Sequence, residues 1–435
     1  MLEMGRGFSA VRHRNFRLYW IGQIVSLAGT WMQSVSQPWL VLLLGGSYIQ
    51  LGIVVALQFA PSLLLAPLGG VLADRVDKRR LLIFTQSVAA LQAAVLFALT
   101  ATGVVEIWHI MVLALALGFV NALDMPGRQA FISAMIENKE DLPNAIALNS
   151  SMVNVARLLG PSIAGVVIAA TNEGWCFAID GVSYLGVIAA LIAMRVAPRA
   201  VRSGPRPGAW QQFVEGWRYA FGFRPIRSII LLLALVSLVG VPYSVLMPIF
   251  AATVFHGGPH TLGFLMGASG CGALAGALWL ATRRSVIGLG RIIVVASAAF
   301  GAGLIGFSFA SSLTIAIPCL VVAGCGFIVQ MASSNTIIQT IVDEDKRGRV
   351  MSFYMMAFLG TVPFGSLIAG WLSSRIGAPH TLLLGGICCL AGAAWFATEL
   401  PLIRIAVRPI YIRMGILPQV AVGIADAAEL SVPPE

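Results

Sequence analysis

From Leu18 to Ala73 the chain runs for 56 residues without one Asp, Glu, Lys or Arg, and from Ser228 to Thr282 it does so again for 55. A soluble fold cannot absorb such tracts, because each of its elements must turn a polar face to water. Composition sets the same limit: 11% of the residues are charged and 58% hydrophobic, against about 25% charged in soluble domains. Lipid is the solvent such a surface requires. The basic start, with Arg6, Arg12, Arg14 and Arg17, mimics a secretory signal. The apolar tract behind it is too long and no small-residue cleavage site follows, so it reads as a retained first span.

A bilayer core of about 30 Å takes about 20 apolar residues as helix. Spans are therefore expected at 18–44, 49–73, 81–102, 107–124, 145–170 and 175–194, then at 228–254, 261–282, 292–310, 313–338, 350–374 and 379–398. With the N-terminus inside, the segments 1–17, 74–80, 125–144, 195–227, 283–291, 343–349 and 399–435 hold 26 of the 28 Lys and Arg residues. That is the asymmetry of the positive-inside rule. The expectation is an all-α membrane protein of twelve transmembrane helices with both termini cytoplasmic. Its parts are an N-terminal segment (1–17), a six-helix bundle (18–194), a cytoplasmic central loop (195–227), a second bundle (228–398) and a cytoplasmic tail (399–435), read as partly disordered. In the central loop Trp210, Phe213, Val214, Trp217 and Phe221 fall at helical spacing, which predicts an amphipathic helix on the inner surface.

The two halves echo each other. Leu51-Gly52 recurs as Leu262-Gly263, and SIAGV at 162–166 as SLIAGW at 366–371, which sets Gly165 against Gly370. A six-plus-six repeat around a basic loop is the layout of a transporter.

Between the second and third spans stands DRVDKRR, residues 74–80, with six charges in seven positions. In its context, GVLADRVDKRRLL, it resembles the signature of the major facilitator superfamily, through Gly70, Leu72, Ala73, Asp74, Arg75, Arg79 and Arg80. Asp77 stands where many members have glycine. The resemblance implies the major facilitator fold and a loop that latches the halves on the cytoplasmic side. Asp74 would face the positive end of span 11, with Arg347 and Arg349 pairing Asp77 or Asp124; Arg128 is counted with this gate. The stretches 15–44, 122–151 and 342–354 resemble the bacterial exporters that include the enterobactin exporter and macrolide efflux proteins. RLLGPSIAG at 157–165 resembles the Gly-Pro motif of drug:proton antiporters, with Gly160, Pro161 and Gly165 in register.

Ionisable groups inside a bilayer are functional candidates. Arg157 and Asp180 are placed well within spans 5 and 6, at nearly equal depth by helical rise, and a pair between them is expected. The pair is read as static and structural, or as coupling candidates, with Asp180 carrying a proton or Arg157 contacting substrate. By analogy with the family, spans 1, 4, 7 and 10 line the cavity, where the chain offers Gln33, Gln37, Asn121, Tyr243, Met247, Gln330 and Asn335 among Trp31, Trp39 and Phe327. That neutral set suits an amphipathic organic molecule.

Other chemistries find little support. Lys78, Lys139 and Lys346 are followed by Arg, Glu and Arg, so no lysine completes a Walker A motif. His256 and His260 are separated by Gly-Gly-Pro, which forbids a helical metal pair. The six cysteines lie in apolar tracts without metal spacing. The net charge of +10 belongs to loops facing anionic lipid, not to nucleic acid. No metal, cofactor, ATP site or enzyme activity is expected. The sequence leads to a multi-pass protein of a bacterial inner membrane, a proton-coupled antiporter exporting a drug- or siderophore-like molecule. An importer on the same fold, or a non-transporting sensor or scaffold, is the alternative.

Overall fold

The computed structural model describes residues 9–136, 138–195, 209–283, 285–344 and 346–416. Fifteen helices follow in order: α1 Arg14–Leu43, α2 Tyr48–Arg75, α3 Lys78–Ala101, α4 Ile107–Met135, α5 Leu142–Ala170, α6 Glu173–Ala193, α7 Ala209–Gly222, α8 Arg224–Val239, α9 Tyr243–Ile249, α10 Pro259–Ala281, α11 Leu289–Ser308, α12 Leu313–Ile341, α13 Arg347–Leu359, α14 Val362–Ile376 and α15 Ala378–Arg413. Among the described residues, ten helical stretches are long and apolar enough to cross a membrane. The other two expected spans are α1, a 30-residue helix diluted by polar side chains, and α2, whose counted apolar part is Tyr48–Leu63.

Two expected spans are broken rods. The seventh is α8 and α9 joined at Gly240-Val241-Pro242, followed by one π-helical turn at Phe250–Val254. Pro242 has no N–H to donate, and a Cβ on Gly240 would lie 2.4 Å from the Phe300 ring. The eleventh is α13 and α14, parted at Gly360-Thr361 ahead of Pro363. The tail departs from expectation: α15 continues through Pro401 and Pro409 to Arg413, held by buried Leu400, Ile403 and Val407. Residues 417–435 lie outside the described residues.

The helices of each half are arranged alike. In the first, α1 packs on α6, α3 on α6 and α2 on α4; in the second, α8 packs on α15, α11 on α15 and α10 on α12. The start of α1 meets the end of α6, where Arg14 donates to Ala193 O, and the start of α8 meets α15 at Glu399, which pairs with Arg224. On the far side the halves meet at two crossings, α2 with α14 and α5 with α10. At the first, a Cβ on Gly52 would lie 2.4 Å from Ser366 O and 3.4 Å from the Gly370 Cα. At the second, a Cβ on Gly263 would lie 2.8 Å from Pro161 O and 3.1 Å from the Gly165 Cα. The four glycines that repeat in the sequence thus meet as two equivalent pairs. Small residues are what let helix backbones approach in lipid.

The central-loop helix α7 packs against the second bundle. Gly216 sits against Phe353 and Arg349, Glu215 pairs with Arg349 at 2.8 Å, and Trp217 and Phe221 meet the Phe353 ring. The helix is docked on α13. At the other end of the chain, Ala10 N donates to Asn144 and His13 pairs with Asp141 at 2.9 Å, which ties the N-terminal turn to the start of α5.

Valine at Gly52 or Gly263 is expected to cost the far-side crossing about 1–3 kcal/mol by overpacking. The readout is faster modification of a cysteine placed at the buried Ser366. Hydrogen bonds from Ser9 and His13 hold the Asp141 carboxyl below its ordinary value of 3.8. Stability from a depressed carboxyl pKa is present above the unfolded value and lost as pH falls through the folded one. Amide exchange at residues 10–13 should therefore stay slow above pH 3.8 and accelerate below it.

Candidate functional site

The polar groups inside the first half form three separate settings. Nearest the basic face, the buried Asp124 accepts from Thr85 at 2.8 Å and Gln86 at 2.9 Å and pairs with Arg128 one turn on; Arg128 also donates to Gln23 at 2.6 Å. Asp124 is therefore committed within its own half and does not reach Arg347 or Arg349. The physical reason is proximity: an i,i+4 partner on the same helix is met without any movement of the halves. Arg349 is held by Glu215 instead, while Arg347 Nε lacks a hydrogen-bond partner. Asp77 is not part of a latch here either. It caps α3, accepting from Arg80 N at 3.0 Å. Arg79 reaches the last carbonyls of α6, Leu191 and Ile192, at 2.6 Å each, which satisfies groups that a helix end leaves open. Gly70, Asp74 and Arg75 lie in α2, and their side chains are outside the described residues.

The second setting corrects an expectation. Arg157 and Asp180 do not pair, because α1 runs between α5 and α6 and takes one of them on each side. Asp180, fully buried, meets α1 at Gly29, where an added Cβ would be 2.7 Å from its carboxylate. Both its oxygens lack hydrogen-bond partners; the hydroxyls of Thr30 and Tyr184, themselves 3.2 Å apart, are its polar neighbours. Arg157 lies over Trp31 instead, its guanidinium carbon 5.1 Å from the ring centroid. Gly160 makes that possible: a Cβ there would come within 2.4 Å of the Trp31 Cβ.

The third setting concerns the expected binding amides. Gln33 donates to Gln37 at 3.3 Å and to Gln92 of α3 at 3.4 Å. Gln33 and Gln37 are buried, and the link to α3 turns this network into the interior of the first half. Gln330 is likewise buried and pairs with Ser334 at 3.4 Å, and Met247 is core. Asn121 and Asn335 are half-buried, the latter accepting from Gln339 at 2.8 Å.

What the structure does bring together, where α1 and α5 face α9 and α10, is Arg157, Trp31, Tyr243 and Ser269. The break at Pro242 sets Tyr243 at the start of α9, and its hydroxyl lies 2.7 Å from Ser269 Oγ and within electrostatic reach of Arg157. Phe300 stands edge-on to Tyr243, and Phe327 and Phe358 continue the aromatic wall. Ser269 had no signal in the sequence, since a lone serine in an apolar helix looks like any other small residue. Two concavities lie elsewhere on the described residues. An apolar groove of about 710 Å³ between α1 and α6 opens where lipid would lie, and a pocket of about 260 Å³ is lined by Arg291, Arg404 and Arg408.

Neutralising Asp124 should leave the half-buried Arg128 cation uncompensated, at a cost of about 3–5 kcal/mol. Denaturation in detergent should show that loss for Asp124→Asn, with most of it recovered in Asp124→Leu/Arg128→Met.

Comparison with known proteins agrees with this architecture. Residues 6–408 match the family described as transmembrane secretion effectors of the major facilitator type. The staphyloferrin A transporter of Staphylococcus aureus is 27% identical over 360 residues, covering 82% of this chain and 89% of that protein. Macrolide efflux protein A of Streptococcus pyogenes is 22% identical, covering 86% and 94%. The multidrug efflux pump Tap of Mycolicibacterium fortuitum is 25% identical, covering 82% and 88%. Among solved structures, a bacterial homologue of the human lysosomal transporter Spinster, inward-facing and unoccupied, superposes with a TM-score of 0.67 at 16% identity over 92% of this chain and 98% of its own. The nucleoside transporter NupG gives 0.68 at 12% identity over 89% and 99%; at these identities the likeness is one of fold. The chain belongs to the transmembrane secretion effector family of the major facilitator transporters.

Proposed function

We propose that this transporter exports an amphipathic small molecule of drug, macrolide or siderophore type across a bacterial inner membrane, by proton antiport with alternating access. Both termini would be cytoplasmic, so the glycine crossings close the outer side. The observation that carries the reading is that pair of crossings. Two backbone-to-backbone contacts, one at each edge of the interface, can open together when the halves rock about the centre. The relatives named for efflux support the outward direction, since the chain spans most of their length.

In this reading Asp74, with Gly70 and Arg75 beside it, latches the cytoplasmic side when that side closes, and Arg347 is its partner at the start of α13. Gly160, Pro161 and Gly165 shape α5 for the outer closure. Asp180 is the coupling residue, a carboxyl without a fixed partner beside the Thr30 and Tyr184 hydroxyls. Arg157, Trp31, Tyr243 and Ser269 hold the transported molecule, with Asn121 and Asn335 at the approach from the basic face.

Inside-out vesicles carrying the protein should accumulate an exported compound when a pH gradient is imposed. Asp180→Asn should abolish the gradient dependence while leaving downhill exchange. Uptake by Asp180→Asn with the same pH dependence as the wild type would remove Asp180 from coupling. Unchanged accumulation in Asp74→Asn would remove the latch.

A further inference from the structure

We propose that the transported molecule is an amphipathic anion, and that Arg157 receives its charged group at the junction of the two halves. This rests on the transporter reading above and sharpens its substrate class.

The argument starts from a missing counter-charge. A guanidinium stays protonated at any physiological pH, so Arg157 carries its charge in both conformations of the protein. The ion pairs formed among the described residues join His13 to Asp141, Arg128 to Asp124, Arg224 to Glu399, Lys346 to Asp343 and Arg349 to Glu215. None includes Arg157. Asp180, the acid at similar depth, is turned to the other side of α1 against Gly29, and Asp124 is occupied by Arg128. Arg157 Nε is out of reach of solvent and has no hydrogen-bond partner. The partly exposed guanidinium lies over the face of Trp31 at 5.1 Å, and a ring offsets only part of the desolvation of a cation.

A cation left in that condition is costly in a membrane unless something else neutralises it. The surroundings say what would. Planar, forked N–H donors suit a carboxylate or another oxyanion, which they bind through paired hydrogen bonds. The Tyr243 hydroxyl, within the field of Arg157 and bonded to Ser269, can donate to the same oxyanion. Trp31, partly exposed beside the guanidinium, supplies an apolar ring next to that polar point, with Phe300 buried behind Tyr243. The ligand is thus a molecule with one charged end and an apolar, ring-sized body. Arg157 and Trp31 belong to the first half, Tyr243, Ser269 and Phe300 to the second. An anion bound there touches both halves and alters their balance.

The test uses the purified full chain in nanodiscs, with two matched pairs of probes: pyrenebutyrate and fusidate, each against its methyl ester. The acids are expected to raise the thermal midpoint at concentrations about 10- to 100-fold lower than the esters, the range of a charged hydrogen bond. In Arg157→Met that preference should vanish, while the ligand-free protein melts at the same or a higher temperature, because an apolar isostere relieves an unpaired buried charge. Arg157→Lys should keep part of the preference. A merely structural arginine would behave oppositely: Arg157→Met would melt lower and still prefer the acids. That result overturns the proposal, and so does an equal response of the wild type to acid and ester, including none to either. Should Arg157→Met fail to fold, the same comparison in Arg157→Gln decides. Acid-selective stabilisation that depends on Arg157, without accumulation in inside-out vesicles, would leave the anion site standing and remove export.

Discussion

Helices that meet inside lipid gain little from hiding apolar surface, since the surroundings are as apolar as they are. What can hold two six-helix halves together is close approach of backbone to backbone. In this protein that approach is made twice, at Gly52 with Gly370 and at Gly165 with Gly263. Such contacts are short-ranged and have no long side chains to rearrange, so they hold firmly when made and vanish when the halves tilt. An interface of interlocked large side chains would resist that motion.

The same economy governs the polar groups. Asp124 is held by Thr85, Gln86 and Arg128 inside the first half, and Arg128 also by Gln23. That cluster ties α1, α3 and α4 together within the first half. Asp180, whose carboxylate oxygens make no hydrogen bond, and Arg157, which joins none of the ion pairs among the described residues, are separated by α1 and so do not neutralise each other. In a low-dielectric interior such groups persist where function uses them. One is an acid beside two hydroxyls, the other a cation beside an aromatic face, a division suited to moving a proton at one point and an anion at another.

The linker helix α7 adds a connection that composition alone left open. Trp217 and Phe221 of its apolar stripe meet Phe353 of α13. Through Glu215 it also holds Arg349, a residue expected at the gate. Movement of α13 and of the central loop is therefore mechanically joined in this conformation.

Much of this was legible from residues alone. Long uncharged tracts and the one-sided placement of Lys and Arg determine a many-span helical protein, because lipid and the bilayer's charge asymmetry act on every residue locally. The paired glycines were visible as a repeat, although not as partners. The sequence also singled out Arg157 and Asp180, since a charge in an apolar helix stands out in any context. Tertiary structure alone decided that they do not meet, that Gln33 turns to Gln37 and Gln92, that Asp124 belongs to Arg128, and that a plain serine, Ser269, joins Tyr243. Depth along a span follows from counting residues. Which neighbour a side chain faces depends on how helices are ordered around the bundle, and no local pattern carries that information.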